Sequence, residues 1–178
     1  MRIIGGKHKG RKMKSFDGFY IRPTSDRARE ALFNIFSAMI NGCRFLDGFC
    51  GSGLVGIEAL SRGASVVMTD VSAKSVALTK ENLALINESA TVIKIDCIDY
   101  LKTTDQKFDL IFLDPPYAID AGERALEIIA ERRVLNSGGY VVIEKDKPVQ
   151  MQINGLIVEK IKKYGKAYFT VYKENYER

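Results

Sequence analysis

The chain has one histidine, four prolines and three cysteines, and no apolar run approaches the length of about eighteen residues that crosses a bilayer. Cys43, Cys50 and Cys97 are spaced neither as a zinc ribbon nor as a C-x-x-C redox pair, so buried reduced thiols and no metal centre are expected. His8 lies between Lys7 and Lys9, which suits contact with phosphate or solvent and leaves no histidine for acid–base work. The prolines do not cluster into a linker, and no repeat or low-complexity stretch divides the 178 residues. Met1 to Arg11 is basic but lacks the apolar core and cleavage site of a secretory signal. A soluble, cytoplasmic protein with one catalytic unit and no membrane partner is expected.

Positive charge is concentrated at one end. Residues 1–29 carry nine basic side chains against Asp17 and Asp26, a local +7 within a total of +5, so the remainder is −2. Such an asymmetry attracts a polyanion to one side of the molecule. Lys7, Lys9, Arg11, Lys12 and Lys14 are the candidate nucleic-acid contacts on a basic arm of residues 1–22, and a merely solvated face is the alternative. Residues 23–178 are expected to form the single remaining domain.

Beyond the arm, strand-like and helix-like segments alternate. Ala28, Ala31, Leu32, Ile35, Phe36 and Met39 recur at helical spacing, predicting an amphipathic helix over 26–39. Short apolar strands are predicted at 44–47, 65–70, 91–96, 108–114 and 139–144, with helices at 54–62, 73–87 and 122–133 between them. Residues 156–163 and 166–173, joined by Tyr164-Gly165, read as a terminal antiparallel hairpin at the sheet edge. The predicted fold class is α/β, a Rossmann-like doubly wound and mostly parallel sheet with a C-terminal antiparallel hairpin and a small N-terminal basic arm or hairpin. Asp47, Asp70, Asp96 and Asp114 each close a strand, and ligands of open α/β sheets sit beyond the carboxyl ends of the strands.

Gly51-x-Gly53-x-x-Gly56 lies between a strand and a helix, where glycine lets the backbone turn tightly and approach a ligand. Asp70 is placed to accept from ribose hydroxyls. These features serve nicotinamide, flavin and methionine-bearing nucleosides alike. Asp47, four residues before Gly51, favours the last, because a carboxylate there attracts an ammonium and opposes a pyrophosphate. Asp96 can accept from an adenine amine, with Cys97 and Ile98 flanking the ring.

Asp114-Pro115-Pro116-Tyr117 follows a buried strand. Two prolines stiffen the loop and remove two backbone donors, leaving the Asp114 carboxylate and the Pro115 carbonyl as a pair of acceptors. A pair of acceptors suits an exocyclic base amine, whose lone pair is delocalised into the ring unless both N–H bonds are held. Tyr117 can stack on an extruded base.

Arg2-Ile3-Ile4-Gly5-Gly6, Gly10-Arg11-Lys12, the run from Arg22-Pro23-Thr24-Ser25-Asp26 to Asn34, Leu46 to Gly53, Glu58 to Ala64 and the D-P-P-Y loop together resemble the RsmD-type small-subunit ribosomal RNA guanine-N2 methyltransferases over nearly the whole chain. That resemblance implies a seven-stranded methyltransferase fold and S-adenosylmethionine as cofactor. It also implies methylation of a guanine N2 in 16S rRNA or the assembling small subunit, by a monomer whose Arg22, Pro23 and Thr24 lie near the methionine end of the cofactor. Gly48, Cys50 and Ser72 depart from the family pattern, which more often has a larger apolar residue, an alanine and an acid there.

Other readings are weaker. A DNA adenine-N6 methyltransferase shares D-P-P-Y but needs a target-recognition segment for which there is no length, and a protein glutamine methyltransferase prefers Asn at position 114. A nicotinamide oxidoreductase gives no reason for residues 114–117. Another RNA base amino-methyltransferase, or a non-catalytic rRNA-binding assembly factor, remains the alternative.

Overall fold

Strands and helices alternate along the chain as their apolar patterns require, in a computed structural model that describes residues 1–16, 24–116 and 120–176. The helices are α1 (Asp26–Ile35), α2 (Leu54–Ser61), α3 (Ala73–Leu85), α4 (Cys97–Thr103) and α5 (Ala121–Glu131). The strands are β1 (Arg44–Asp47), β2 (Ser65–Asp70), β3 (Thr91–Lys94), β4 (Phe108–Leu113), β5 (Leu135–Lys145), β6 (Leu156–Tyr164) and β7 (Ala167–Glu174). They form one sheet in the order β3-β2-β1-β4-β5-β7-β6. β1 to β5 pair in parallel, while β7 runs antiparallel between β5 and the edge strand β6.

Alternate side chains of each strand enter different cores. Phe45, Leu110, Phe112, Val142, Phe169 and Val171 pack under α1, α2 and α3, whereas Leu46, Ile111, Leu113, Val141, Ile143 and Tyr172 pack under α4 and α5. Burial on both faces explains why the central parallel strands lack the polar alternation of a half-exposed sheet. Chain order reverses between β1 and β4, so the crevice at their carboxyl ends is the switch point where α/β sheets bind ligands. Among the described residues no helix is long and apolar enough to cross a membrane.

The predicted boundaries fail where local hydrogen bonding overrides periodicity. α1 stops at Ile35, four residues before the predicted end, and the amides of Met39 and Ile40 both reach back 3.0 Å to the Phe36 carbonyl in tight turns. Ile40 is buried and Met39 packs on the same core, so the apolar spacing is satisfied without helix. β3 ends at Lys94 because Asp96 is the N-cap of α4, a helix of seven residues too short to show a period. β5 begins at Leu135, not Gly139, with a register shift opposite β4 between Phe108 and Leu110.

The N-terminal residues form the small hairpin. Arg2 bridges Lys12, and Ile3 and Met13 are buried in the core under α1 to α3. The hairpin is fixed to α2 by a carboxylate: Glu58 accepts from the amides of Ile4 at 2.9 Å and Gly5 at 2.7 Å. Glu58 also pairs with Arg29 of α1 at 3.3 Å and with Arg62 at 3.0 Å, and both Glu58 and Arg29 are wholly buried.

Candidate active site at the switch point

β1 delivers Asp47 to the mouth of the crevice, and the turn that follows folds back over it. The Asp47 Oδ2 accepts from the Gly56 amide at 2.9 Å, tying the first turn of α2 to the strand end. Asp47 is 1% exposed, and burial pushes its carboxyl up to about 7, reinforced by the charge of Asp70 and opposed by the amides of Gly56 and Phe49. Asp47 therefore acts on the glycine turn directly and on anything beyond the turn only through its field.

Gly53 caps α2 with φ +80°, and a Cβ there would lie 2.6 Å from the Thr79 methyl. Only glycine meets both conditions. At Gly51 the opposite holds: nothing stands within 4 Å of where a Cβ would be, so the backbone borders open space. Asp70, at the end of β2, forms the wall of that space. Its Oδ2 accepts from the Gly51 amide at 2.9 Å and its Oδ1 from Ser72 at 2.8 Å. Ser72, where the family pattern has an acid, caps α3 through its Oγ.

Three residues that the sequence reading passed over complete this wall. Thr79 and Asn82, both wholly buried on α3, donate to the carbonyls of Gly51 at 3.0 Å and Ser52 at 2.9 Å, supplying partners that a tight turn cannot supply itself. Asn82 also bonds the Lys14 backbone through both its amide groups, linking the arm to the turn. Val71, which follows Asp70 at the end of β2, is 61% exposed, a large apolar side chain left in solvent. An apolar residue directly after a strand-end acid was the available signal for Val71. Buried polar residues on a helix gave none.

On the far side, Asp96 caps α4 with Oδ1, which accepts from Ile98 at 2.8 Å and Asp99 at 3.3 Å, and its Oδ2 has no partner among the described residues. Cys97 is buried and its sulfur lies 2.7 Å from where a Cβ at Gly48 would sit, so it fills the room of a larger residue at position 48. Burial holds its thiol protonated, with the charges of Asp96 and Asp47 adding to the effect. The same cause keeps Cys50 a thiol.

Asp114 leaves the end of β4 one residue beyond Leu113, which pairs with Ile143, so Asp114 stands beside Glu144 of β5. Burial, then Glu144, then Asp47 raise its carboxyl well above the usual range. It nonetheless keeps part of its surface accessible, and Pro115 is buried behind it. Gly122 of α5 permits that arrangement: a Cβ there would meet Pro115 Cγ at 2.9 Å and Ile143 at 2.4 Å. Pro116 is exposed. Tyr117, Arg22 and Pro23 lie outside the described residues. Thr24 is buried, and its Oγ1 donates to Glu144 Oε2 at 2.8 Å, which brings the start of α1 to the site.

The predicted basic contacts divide. Lys7 pairs with Glu88, Lys14 with Glu81 at 3.0 Å, and the Arg11 guanidinium donates to the Leu85 carbonyl at 2.6 Å. Lys9 and Lys12 are exposed without a partner among the described residues. His8 is held at 2.8 Å by Glu88, not left to phosphate or solvent.

Residues 1–173 match the family model described as conserved hypothetical protein 95. The ribosomal RNA small subunit methyltransferase D of Haemophilus influenzae is 40% identical over 157 residues, covering 84% of this chain and 81% of that protein. The chain belongs to this family. The Escherichia coli protein of the same name is 34% identical over 149 residues, 82% of this chain and 75% of its own length. The solved structure of yhhF from Escherichia coli superposes with a TM-score of 0.88 at 28% identity, with 99% of both chains covered. The seven-stranded sheet with its antiparallel C-terminal pair is thus the α/β methyltransferase fold of the family.

Proposed function

We propose that the protein transfers the methyl group of S-adenosylmethionine to the exocyclic N2 amine of a guanine in small-subunit (16S) ribosomal RNA during ribosome assembly, acting as a cytoplasmic monomer. The observation that carries this reading is the position of Asp114 and Pro115 at the end of β4, beside the glycine turn at the switch point. Relatives named ribosomal RNA small subunit methyltransferase D support the substrate class.

The residues present fit the cofactor. The open space over Gly51 is bordered by the Asp70 carboxylate, whose remaining lone pairs would take ribose hydroxyls, and the exposed side chain of Val71, next in the chain, would be covered by a purine ring. Asp96 would take the adenine amine on Oδ2 beside Cys97 and Ile98, while Gly53 and the segment Arg22-Pro23-Thr24 would hold the methionine end and Asp47, behind the glycine turn, would act on its ammonium through its field. The bound cofactor supplies an electrophilic methyl on a cationic sulfur.

The chain's own task is to make a poor nucleophile attack. The Asp114 carboxylate and the Pro115 carbonyl accept the two N–H bonds of the amine and orient its lone pair, and buried Pro115 and exposed Pro116 keep the loop from bending away. Tyr117 stacks on the base. Methylation makes the amine acidic, so no prior deprotonation is needed; the raised affinity of Asp114 for protons suits it to take the one released.

Labelled S-adenosylmethionine and small-subunit rRNA, followed by mass-spectrometric mapping of nucleosides, test the reading. N2-methylguanosine is the expected product. Asp114→Ala should lower the transfer rate by at least about 100-fold while cofactor binding persists. Full activity in that variant, or a product methylated elsewhere, would overturn the assignment.

A further inference from the structure

The net charge of −2 beyond residue 29 conceals a second basic element. Residues 156–174, the β6–β7 hairpin, hold Lys160, Lys162, Lys163, Lys166 and Lys173 against Glu159 and Glu174, the latter paired with Leu156 at the end away from the turn. Lys173 lies near Glu159 at 3.9 Å, but Lys160, Lys162, Lys163 and Lys166 are exposed and have no acidic partner among the described residues.

Strand register determines where these lysines are. Lys145 of β5 pairs with Tyr168 of β7, which pairs with Lys163 of β6; Glu144 pairs with Phe169, which pairs with Lys162. Glu144 stands beside Asp114, so the tip of the hairpin, with its turn at Gly165-Lys166, projects from the same end of the sheet as the candidate site. β6 is three strands from β4, a lateral distance of roughly 15 Å at about 4.8 Å per strand. The N-terminal arm reaches the opposite rim, where Asn82 joins Lys14 to the glycine turn.

We propose that the tip of the β6–β7 hairpin is a second RNA-contacting surface, in which Lys162, Lys163 and Lys166 bind phosphates of the strand flanking the target guanine. The proposal rests on the rRNA substrate argued above. Phosphate contact there holds the backbone on one side of the crevice while the arm holds it on the other, which fixes the extruded base between them. The surface has the chemistry for this: exposed ammonium groups on an edge strand and a tyrosine ring 5.2 Å beneath Lys163, while the exposed apolar residues of β6, Ile157 and Val158, lie toward its other end. An edge strand rich in lysine also resists pairing with another sheet, so the same residues guard the fold.

The test compares the parent chain with the triple variants Lys162→Ala, Lys163→Ala, Lys166→Ala and Lys162→Arg, Lys163→Arg, Lys166→Arg, measuring affinity for small-subunit rRNA from 50 to 200 mM salt beside methyl transfer. Neutralising three phosphate contacts should make the slope of log affinity against log salt shallower by about 2, which amounts to about 20-fold over that range. The arginine variant should keep the parent slope, and thermal stability and cofactor affinity should be unchanged in both. An alanine variant that matches the parent in affinity and slope overturns the proposal, as does weakening seen only on an assembled ribosomal particle, which would assign the surface to a ribosomal protein. A parent chain that methylates rRNA while the alanine variant binds normally sinks the hairpin alone; a parent that neither binds nor methylates rRNA sinks the functional reading and this one with it.

Discussion

Glu58 is the residue whose loss should be felt most widely. It is wholly buried, neutralises the wholly buried Arg29, and accepts from two backbone amides of the N-terminal hairpin. Glu58→Ala leaves a guanidinium in the core with only the exposed Asp26 at 3.1 Å and backbone carbonyls for company, while Arg62, partly exposed already, can turn to water. Breaking a buried pair from one side costs about 3–5 kcal/mol. For a domain of this size each kcal/mol lowers the melting temperature by about 2–4 °C, so the variant should melt roughly 6–20 °C below the parent. Calorimetry gives the shift, and hydrogen exchange at the Ile4 and Gly5 amides shows whether the hairpin has come loose. Replacing both partners, Glu58→Leu with Arg29→Met, should recover more than half of the loss, because the penalty comes from the stranded charge. A single variant within 2 °C of the parent, or a double variant no better than the single, would refute the reasoning.

Two further outcomes follow from charge. The Asp47 carboxyl, raised to about 7 from 3.8 by burial, binds its proton more tightly in the folded chain than in the unfolded one, so cofactor-free protein should lose stability as pH rises from about 4 through 7. Asp47→Asn should flatten that dependence in thermal melts taken between pH 5 and 8, and an unchanged profile would show that Asp47 is not its source. Neutralising Lys9, Arg11 and Lys12 together should weaken rRNA affinity and reduce its salt slope with cofactor binding intact; of these Lys9 and Lys12 should account for most, since Arg11 is already engaged by the Leu85 carbonyl. Unaltered RNA affinity would leave the arm a solvated face.

What could be read beforehand was whatever has a period or an abrupt end. β1 and β2 have the predicted limits because a short apolar run, Phe45-Leu46 in one and Val66-Val67-Met68 in the other, gives way to a strand-end aspartate. The glycine turn and the proline pair announced the crevice for the same reason: they are backbone devices, visible residue by residue. What stayed hidden depends on contacts between distant segments. Thr79 and Asn82 look like the polar side of a helix until the turn they support is folded against them. Glu58 and Arg29 sit 29 residues apart in helices whose pairing no local pattern specifies. Asp96 was legible as a strand-end acid but not as a cap, because the helix that it starts is too short to announce itself. The hairpin lysines vanished into a net charge summed over acidic segments.

The position of β7 carries a consequence for biosynthesis. β6 leaves the ribosome before β7, yet it touches the sheet only through β7, which must enter between β5 and β6. A nascent chain halted before Ala167 would therefore hold β5 with one side bare and β6 with nothing to pair with. Closure of this sheet waits for β7, and until then the open side of β5 is the place where a chaperone would find its grip.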